Sequence, residues 1–357
     1  MSTVQIGIVG LPNVGKSTLF NALTDAGALA ANYPFATIEP NTGIVPVPDS
    51  RLEKLQEMYS SDKVIPATVT FVDIAGLVAG ASKGEGLGNQ FLANIRECSA
   101  IVHVVRAFVN NDIVHVSDNV SPVDDIEVIN TELILADLQT IERHLPKLQK
   151  EAKSDPTKRA ELELLTEIQA SLDTGKIPTN ITELPPTLSL LTAKPVIYAF
   201  HVDEETQTDE NKQTELSALV APALSIFVCA KLEEELRGLD EADAQEMLES
   251  YGVRESGLQQ LIRAAYSTLG LQSYLTAGPK EVRAWTIHVG ATAPQAAGVI
   301  HGDFERGFIA ASIVDYDDLM AVGSETAAKA AGKMRTEGKE YVMRPGDIVE
   351  FRFNVSK

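Results

Sequence analysis

The sequence contains little cysteine and no long apolar run. Its two cysteines, Cys98 and Cys229, are far apart in a chain of 357 residues and have neither metal-ligand nor Cys-x-x-Cys spacing. We therefore expect reduced, buried thiols and no disulfide framework. No uninterrupted apolar stretch reaches the length of a membrane span, and no signal segment is recognisable. These two absences predict a soluble, cytoplasmic protein without membrane association.

Positive charge is also in deficit. The chain has 30 Lys and Arg against 50 Asp and Glu, a net charge of −20. A broadly acidic surface disfavours indiscriminate binding to a phosphate backbone, so we expect no specific DNA site. Any RNA contact would need a local basic groove. The C-terminal residues 281–357, with nine basic and eleven acidic side chains, are the least repelled part of the chain.

The most specific motif lies in the first twenty residues. The apolar run 4–9 predicts a buried strand, residues 10–17 fit the pattern GxxxxGK followed by Ser, and a helix should begin directly afterwards. Gly10 and Gly15 would let the backbone curl so that consecutive N–H groups face one phosphate. Lys16 could then reach the β- and γ-phosphates, and Ser17 could hold Mg²⁺. The motif predicts binding of a nucleoside triphosphate with Mg²⁺.

Further candidates follow in the order that a phosphate-loop NTPase requires. Asp73 and Gly76 form a DxxG motif at the end of a predicted strand, so Asp73 would hold the metal and the Gly76 N–H would meet the γ-phosphate. Thr37 is the expected switch hydroxyl that joins Mg²⁺. The residue directly after the DxxG motif is Leu77, where many GTPases have a Gln that orients the attacking water. Leucine cannot form that hydrogen bond, so hydrolysis needs another group. His115 is the best candidate, the alternative being an ordinary loop histidine.

The base-reading stretch departs from the GTPase pattern. After the predicted strand 196–200, a GTPase would show Asn-Lys-x-Asp, but this chain has His201-Val202-Asp203-Glu204. Without the strict motif, guanine selection is looser and ATP becomes plausible. Cys229, Ala230 and Lys231 follow the next predicted strand and occupy the place of the loop that packs on the other edge of the base.

Alternating apolar strands and helices predict an α/β fold with a doubly wound, mostly parallel sheet. The six strands are expected at 4–9, 43–47, 67–72, 101–105, 196–200 and 224–228. His103, inside one of these strands, is expected to be a satisfied core histidine. Apolar residues at spacings of three and four between 138 and 172 predict an inserted helical hairpin, with a bend at Pro146.

Three domains are therefore expected. The nucleotide-binding domain would comprise residues 1–129 and 190–277, and the hairpin would occupy 130–189. Residues 278–357 would form a small α+β module after the Gly278-Pro279 boundary, with a helix near 325–333.

The stretches 10–24, 32–43 and 73–89 closely resemble the YchF group of Obg-like ATPases. The tail segments 283–287, 302–309 and 344–347 resemble that group's TGS domain, a ubiquitin-like β-grasp module, and the hairpin matches its coiled-coil domain. The resemblance implies an ATP-preferring, Mg²⁺-dependent hydrolase associated with ribosomes and with translation or stress. The resemblance also implies roles for individual residues. Mg²⁺ would be held by Ser17 and Thr37, Val202 would make a main-chain contact to adenine, and His115 would be the hydrolytic histidine. The nucleotide would be bound by Asn13, Val14, Gly15, Lys16, Ser17 and Thr18.

One position departs from that group, whose base motif is Asn-x-x-Glu. His201 stands at the first position here, and histidine can still donate to adenine N7. Asn13 either supports a monovalent cation such as K⁺ or is a polar residue at the helix start. Two other functions remain open: a GTPase with a degenerate base motif, and a non-catalytic scaffold stabilised by nucleotide, which Leu77 favours.

Overall fold

The computed structural model describes residues 4–30, 41–74, 87–109, 120–185 and 188–354. The chain divides into two compact units, each formed by two segments. The first unit comprises Met1–Ile44 and Thr70–Leu261, and the second comprises Val45–Val69 and Ile262–Lys357.

Strands and helices are numbered along the chain. The strands are β1 Gln5–Val9, β2 Thr42–Pro46, β3 Val64–Ile65, β4 Thr68–Asp73, β5 Ala100–Arg106, β6 Val196–His201, β7 Leu224–Val228, β8 Leu271–Ala277, β9 Val282–His288, β10 Phe308–Asp315, β11 Arg335–Glu337 and β12 Asp347–Phe353. The helices are α1 Lys16–Ala30, α2 Arg51–Tyr59, α3 Leu87–Glu97, α4 Pro122–Glu151, α5 Pro156–Asp173, α6 Glu204–Thr208, α7 Glu210–Ala218, α8 Ala230–Leu236, α9 Glu241–Ser250, α10 Gly257–Thr268, α11 Ala293–Ile300, α12 Gly302–Arg306, α13 Tyr316–Val322 and α14 Glu325–Ala330, with a 3₁₀ helix at Thr179–Glu183.

The first unit contains a six-stranded sheet in the order β2-β4-β1-β5-β6-β7. The pairs β1–β4, β1–β5, β5–β6 and β6–β7 are all parallel. Every residue of β5 is buried, as expected for a central strand covered on both faces. All six predicted strands are present within one residue at either end, and the predicted α/β fold is confirmed. The carboxyl ends of these parallel strands lie along one edge of the sheet, where ligands bind in open α/β folds.

The helical hairpin consists of α4 and α5. Their facing residues recur at helical spacing and form one buried cluster, which includes Ile134, Ile141, Leu148, Leu165, Ile168 and Leu172. Each helix begins with a capping side chain before a proline: Ser121 accepts from the Asp124 N–H at 3.4 Å, and Asp155 accepts from the Thr157 N–H at 2.8 Å. The hairpin therefore starts eight residues earlier than the predicted 130, because the cap signal at Ser121 precedes the apolar repeat.

A buried carboxylate ties the hairpin to the chain that leads into β6. Asp137 on α4 is fully buried and accepts hydrogen bonds from the Leu191 N–H and from the N–H and hydroxyl of Thr192, at 2.6–2.8 Å. Burial raises the pKa of this carboxyl, while the bonds from Thr192 and Leu191 oppose the shift. The three bonds satisfy donors that would otherwise be buried without partners.

Both cysteines are free and buried, as predicted. His103 lies in the core with 1 % exposure, but its Nε2 atom has no hydrogen-bond partner among the described residues. The expectation of a satisfied core histidine is therefore wrong for that nitrogen. The ring instead packs against Tyr198, with ring centroids 5.3 Å apart. Burial lowers the pKa of His103 to about 3, so the imidazole is neutral in the folded protein.

The second unit contains its own six-stranded sheet, in the order β11-β10-β12-β8-β9-β3. The strand β12 runs parallel to β8, between the antiparallel pairs β10–β12 and β8–β9. Helix α11 contributes Ala293, Ala296 and Ala297 to the buried cluster beneath this sheet.

The second unit differs from the predicted C-terminal segment in two respects. The predicted boundary at 278 falls between β8 and β9, which pair along seven residues, so Gly278-Pro279 belongs to a hairpin connection. The unit also includes residues 45–69: Val64 and Ile65 pair with β9, and the Tyr59 hydroxyl donates to Glu325 at 2.7 Å. The assignment of three functional domains remains a prediction.

We expect His103 to make the first unit sensitive to mild acid. Its pKa is about 3 in the folded chain and 6.5 when the imidazole is exposed to water, so the unfolded chain binds a proton first as the pH falls. Stability is thus lost below pH 6.5, by about 2 kcal/mol between pH 7 and pH 5. Urea unfolding of the first unit at both pH values should show a smaller loss in His103→Leu. The buried control Val104→Ala should lower stability at both pH values and keep the wild-type pH dependence.

Candidate functional site

The loop between β1 and α1 has the shape of an anion cradle. Asn13 and Gly15 have positive φ angles of 64° and 94°, which place successive N–H groups on a concave side of the backbone. Helix α1 begins at the next residue, Lys16, so its N-terminus directly follows this loop. Ser17 and Thr18, in the first turn, are exposed.

The two glycines of this loop are required by close packing. A Cβ atom on Gly10 would lie 2.8 Å from the Val104 carbonyl oxygen, and one on Gly15 would lie 2.2 Å from His201 Nδ1. Gly15 also needs its left-handed backbone angle. Glycine at these two positions therefore lets the loop lie directly against Val104 and His201.

Lys16 and Asp73 meet at the edge of the sheet. The Lys16 ammonium contacts the Asp73 carboxylate, and the two side chains are only 10 % and 16 % exposed. The contact follows from the fold, because β1 and β4 are neighbours with Ile8 opposite Asp73. The Asp73 carboxylate and the Ser17 hydroxyl have oxygen atoms of the kind that Mg²⁺ prefers as ligands. A Mg²⁺ site beside phosphates needs only one or two protein ligands, so these residues fit the metal.

The two stretches expected around the base also come together. The Val202 N–H donates to the Val228 carbonyl at 3.1 Å, which joins the ends of β6 and β7. Lys231 donates to the Glu204 carboxylate at 2.7 Å, and the Tyr251 hydroxyl donates to the same oxygen at 3.1 Å. These two bonds lower the pKa of the Glu204 carboxyl, and the bond from Lys231 has the larger effect. The carboxylate is therefore ionised and accepts both hydrogen bonds.

Cys229 and Ala230 occupy the turn between β7 and α8. Cys229 is the residue before the helix and Ala230 is its first residue. The predicted set 201–204 with 229–231 is therefore one connected surface at the carboxyl ends of two neighbouring strands.

His201 connects this surface to the phosphate loop. Its Nδ1 atom lies 3.1 Å from the Val14 carbonyl oxygen. Its ring meets the Phe108 ring edge-on, with centroids 4.7 Å apart. Burial lowers the pKa of His201, the Val14 bond opposes that shift, and the charge of Arg106 adds to it. The imidazole is therefore neutral near pH 7.

Several predicted residues cannot be placed. Thr37, Gly76, Leu77 and His115 lie outside the described residues, so their roles remain predictions. Conversely, the sequence reasoning missed Arg106, Phe108 and Tyr251. The sequence did indicate that Arg106 is unusual, because this charged residue ends a mostly apolar strand. In the structure its side chain is fully buried.

Comparison with known proteins gives matches to two separate parts of the chain. A family model described as a 50S ribosome-binding GTPase matches residues 5–150. A model for the C-terminal part of YchF GTPases, described as a protein of unknown function, matches residues 271–354. The protein named ribosome-binding ATPase YchF from Haemophilus influenzae is 52% identical over 360 residues, covering 98% of this chain and 99% of the relative. The chain belongs to the YchF family.

Other YchF proteins agree over the whole length. The Bacillus subtilis protein, also named ribosome-binding ATPase YchF, is 51% identical over 361 residues, covering 98% of this chain and 99% of the relative. A solved structure of the YchF GTPase of Schizosaccharomyces pombe matches with a TM-score of 0.84 and 39% identity, covering 99% of this chain and 98% of that one. The predicted family membership is confirmed, and the described phosphate loop lies within the segment matched by the GTPase family.

Replacement of Gly15 by alanine should destabilise the first unit more than a positive φ angle alone explains. Gly15→Ala adds a clash with His201 to the backbone strain, with an expected loss of about 2–4 kcal/mol in the free energy of unfolding. Gly175→Ala is the matched control, because Gly175 has a φ of +78° and open space around its Cβ position. Urea unfolding that gives equal losses for the two variants would contradict the close packing of His201 on the loop.

Proposed function

We propose that this chain is a Mg²⁺-dependent ATPase that acts as a nucleotide-controlled switch and binds the ribosome. The observation that carries the proposal is the Lys16–Asp73 contact beside the cradle of residues 13–18, at the same sheet edge as the surface of residues 201–204 and 229–231. The names of the full-length relatives, ribosome-binding ATPase, support the substrate and the partner.

The phosphate loop would bind the triphosphate through its N–H groups and the N-terminus of α1. Lys16 would neutralise charge on the β- and γ-phosphates and stabilise charge that develops during hydrolysis. Ser17 and Asp73, with Thr37, would hold Mg²⁺, which supplies charge neutralisation to the phosphate oxygens. A K⁺ ion near Asn13 stays a prediction from the sequence.

The adenine base would lie against the surface formed by residues 201–204 and 229–231. Because the Val202 N–H already donates to Val228, a main-chain contact from Val202 to the base would use its carbonyl oxygen. The Glu204 carboxylate is held by Lys231 and Tyr251, which supports a role in positioning the two loops.

The ribosome is the proposed macromolecular partner, and ATP the proposed nucleotide. No helix in the described ranges is both long and apolar enough to cross a membrane. The net charge of −20 makes a defined docking surface on the ribosome more favourable than diffuse attraction to RNA.

The site assignment predicts that Lys16→Ala abolishes tight ATP binding. Loss of a buried ammonium that faces phosphate should weaken affinity about 100-fold or more in calorimetry with Mg²⁺ present. Lys147→Ala is the control, since Lys147 lies on the hairpin with 77% of its side chain exposed. Unchanged ATP affinity in Lys16→Ala would refute the assignment of the phosphate site.

Turnover separates an ATPase from a nucleotide-stabilised scaffold. We expect multiple-turnover phosphate release from pure protein, reduced about 100-fold or more in His115→Ala because a water-orienting group is lost. ATP affinity should stay near the wild-type value, which separates catalysis from binding. Turnover that is indifferent to this substitution would remove His115 from the mechanism, and absence of turnover in the wild type would favour the scaffold.

A further inference from the structure

The orientation of the His201 ring is fixed by three neighbours. The Val14 carbonyl lies 3.1 Å from Nδ1, Gly15 packs directly on the ring, and Phe108 meets it edge-on. Phe108 is itself held by Arg106, whose guanidinium lies 4.7 Å from the ring centroid and whose Nε donates to the Phe108 carbonyl at 3.1 Å. These contacts hold the ring in one orientation.

The hydrogen bond to Val14 identifies the tautomer of His201. A carbonyl oxygen only accepts, so His201 Nδ1 must carry the proton. The ring is neutral, since burial and the nearby Arg106 charge lower its pKa. A neutral imidazole has one N–H and one bare nitrogen, which makes Nε2 an acceptor. The sequence expectation that His201 donates to adenine N7 therefore conflicts with the observed bond.

The purine edge that differs between ATP and GTP suits such an acceptor. Adenine has an amino donor at position 6, whereas guanine has an oxo acceptor there, and both have an N7 acceptor. An acceptor facing this edge gains a hydrogen bond from adenine. The same acceptor meets only acceptors on guanine, and a buried polar group without a partner is costly.

We propose that His201 is a specificity-determining residue, which accepts a hydrogen bond from the 6-amino group of ATP through Nε2 and thereby disfavours 6-oxo purines. This inference rests on the proposed function, because it takes the base to lie against residues 201–204. It adds which atom reads the base and which position of the purine is read.

Wild-type protein tests the position that is read, by competition binding with four triphosphates in the presence of Mg²⁺. The probes are ATP, purine riboside triphosphate, which lacks the 6-amino group, inosine triphosphate, which has a 6-oxo group, and 7-deaza-ATP, which lacks the N7 acceptor. We expect purine riboside triphosphate to bind about tenfold more weakly than ATP, and inosine triphosphate more weakly still. 7-Deaza-ATP should bind within about twofold of ATP.

Two outcomes of this competition would overturn the inference while leaving the proposed function intact. One is ATP bound no more tightly than the two probes without a 6-amino group. The other is 7-deaza-ATP weakened as much as purine riboside triphosphate, which would mean that His201 donates to N7. Failure of wild-type protein to bind any triphosphate would instead refute the proposed function, and this inference with it.

Variants of the residue assign the effect to His201. His201→Phe keeps a ring between Gly15 and Phe108 without either nitrogen, and His201→Ala removes the ring. The preference for ATP over inosine triphosphate should fall at least about fivefold in both, whatever happens to absolute affinity. His288→Ala changes an exposed histidine of the second unit and should keep the wild-type ratio. A ratio unchanged in both His201 variants would overturn the assignment.

Histidine ¹⁵N spectra of the full chain report the tautomer directly. The His201 signal, identified by its loss in His201→Phe, should show a protonated Nδ1 and a bare Nε2. The opposite tautomer, or a doubly protonated ring at pH 7, would overturn the inference even if the nucleotide preference were as expected.

Discussion

The hydrogen bond between the Val14 carbonyl and His201 joins the two halves of the candidate site. The strand order β1-β5-β6 places the phosphate loop and His201 two strands apart, roughly 10 Å at the usual spacing. The His201 side chain crosses the end of β5 and closes this gap. The chain after β5 supplies Phe108 against the same ring, so one bond depends on three adjacent strand ends. Gly15 is consequently constrained by its backbone angle and by the space that His201 needs.

Much of the first unit could be predicted from sequence because its signals are local. Buried parallel strands are continuous β-branched runs, and the phosphate loop has a fixed spacing of glycines, Lys16 and Ser17. The fold of the second unit was harder to predict from the sequence. Strand β3 has only two residues, Val64 and Ile65, and no local pattern indicates that they pair with β9. Gly278-Pro279 is typical both of a domain boundary and of a hairpin connection, and only the pairing of β8 with β9 distinguishes them.

The candidate site could likewise be predicted from the sequence only in part. The meeting of residues 201–204 with 229–231 follows from two neighbouring parallel strands, which the sequence indicates. The partners of each side chain depend on geometry that no spacing encodes. Glu204 is held by Lys231 and Tyr251, and the latter lies 47 residues away along the chain. The tautomer of His201 likewise depends on a main-chain oxygen, and every residue type supplies one.

The Lys16–Asp73 contact sets a condition on nucleotide binding. The two charges cancel, so the cradle has little net side-chain charge of its own, in a chain whose net charge is −20. Under the proposed function, the first attraction of a triphosphate would then come from oriented N–H groups and the N-terminus of α1, before Lys16 turns to the phosphates. Under the proposed function, Asp73 would need another cation once Lys16 turns to the phosphates, and Mg²⁺ that accompanies the nucleotide would provide one. The proposed function therefore implies that metal and nucleotide bind together, since each would remove a charge imbalance that the other creates.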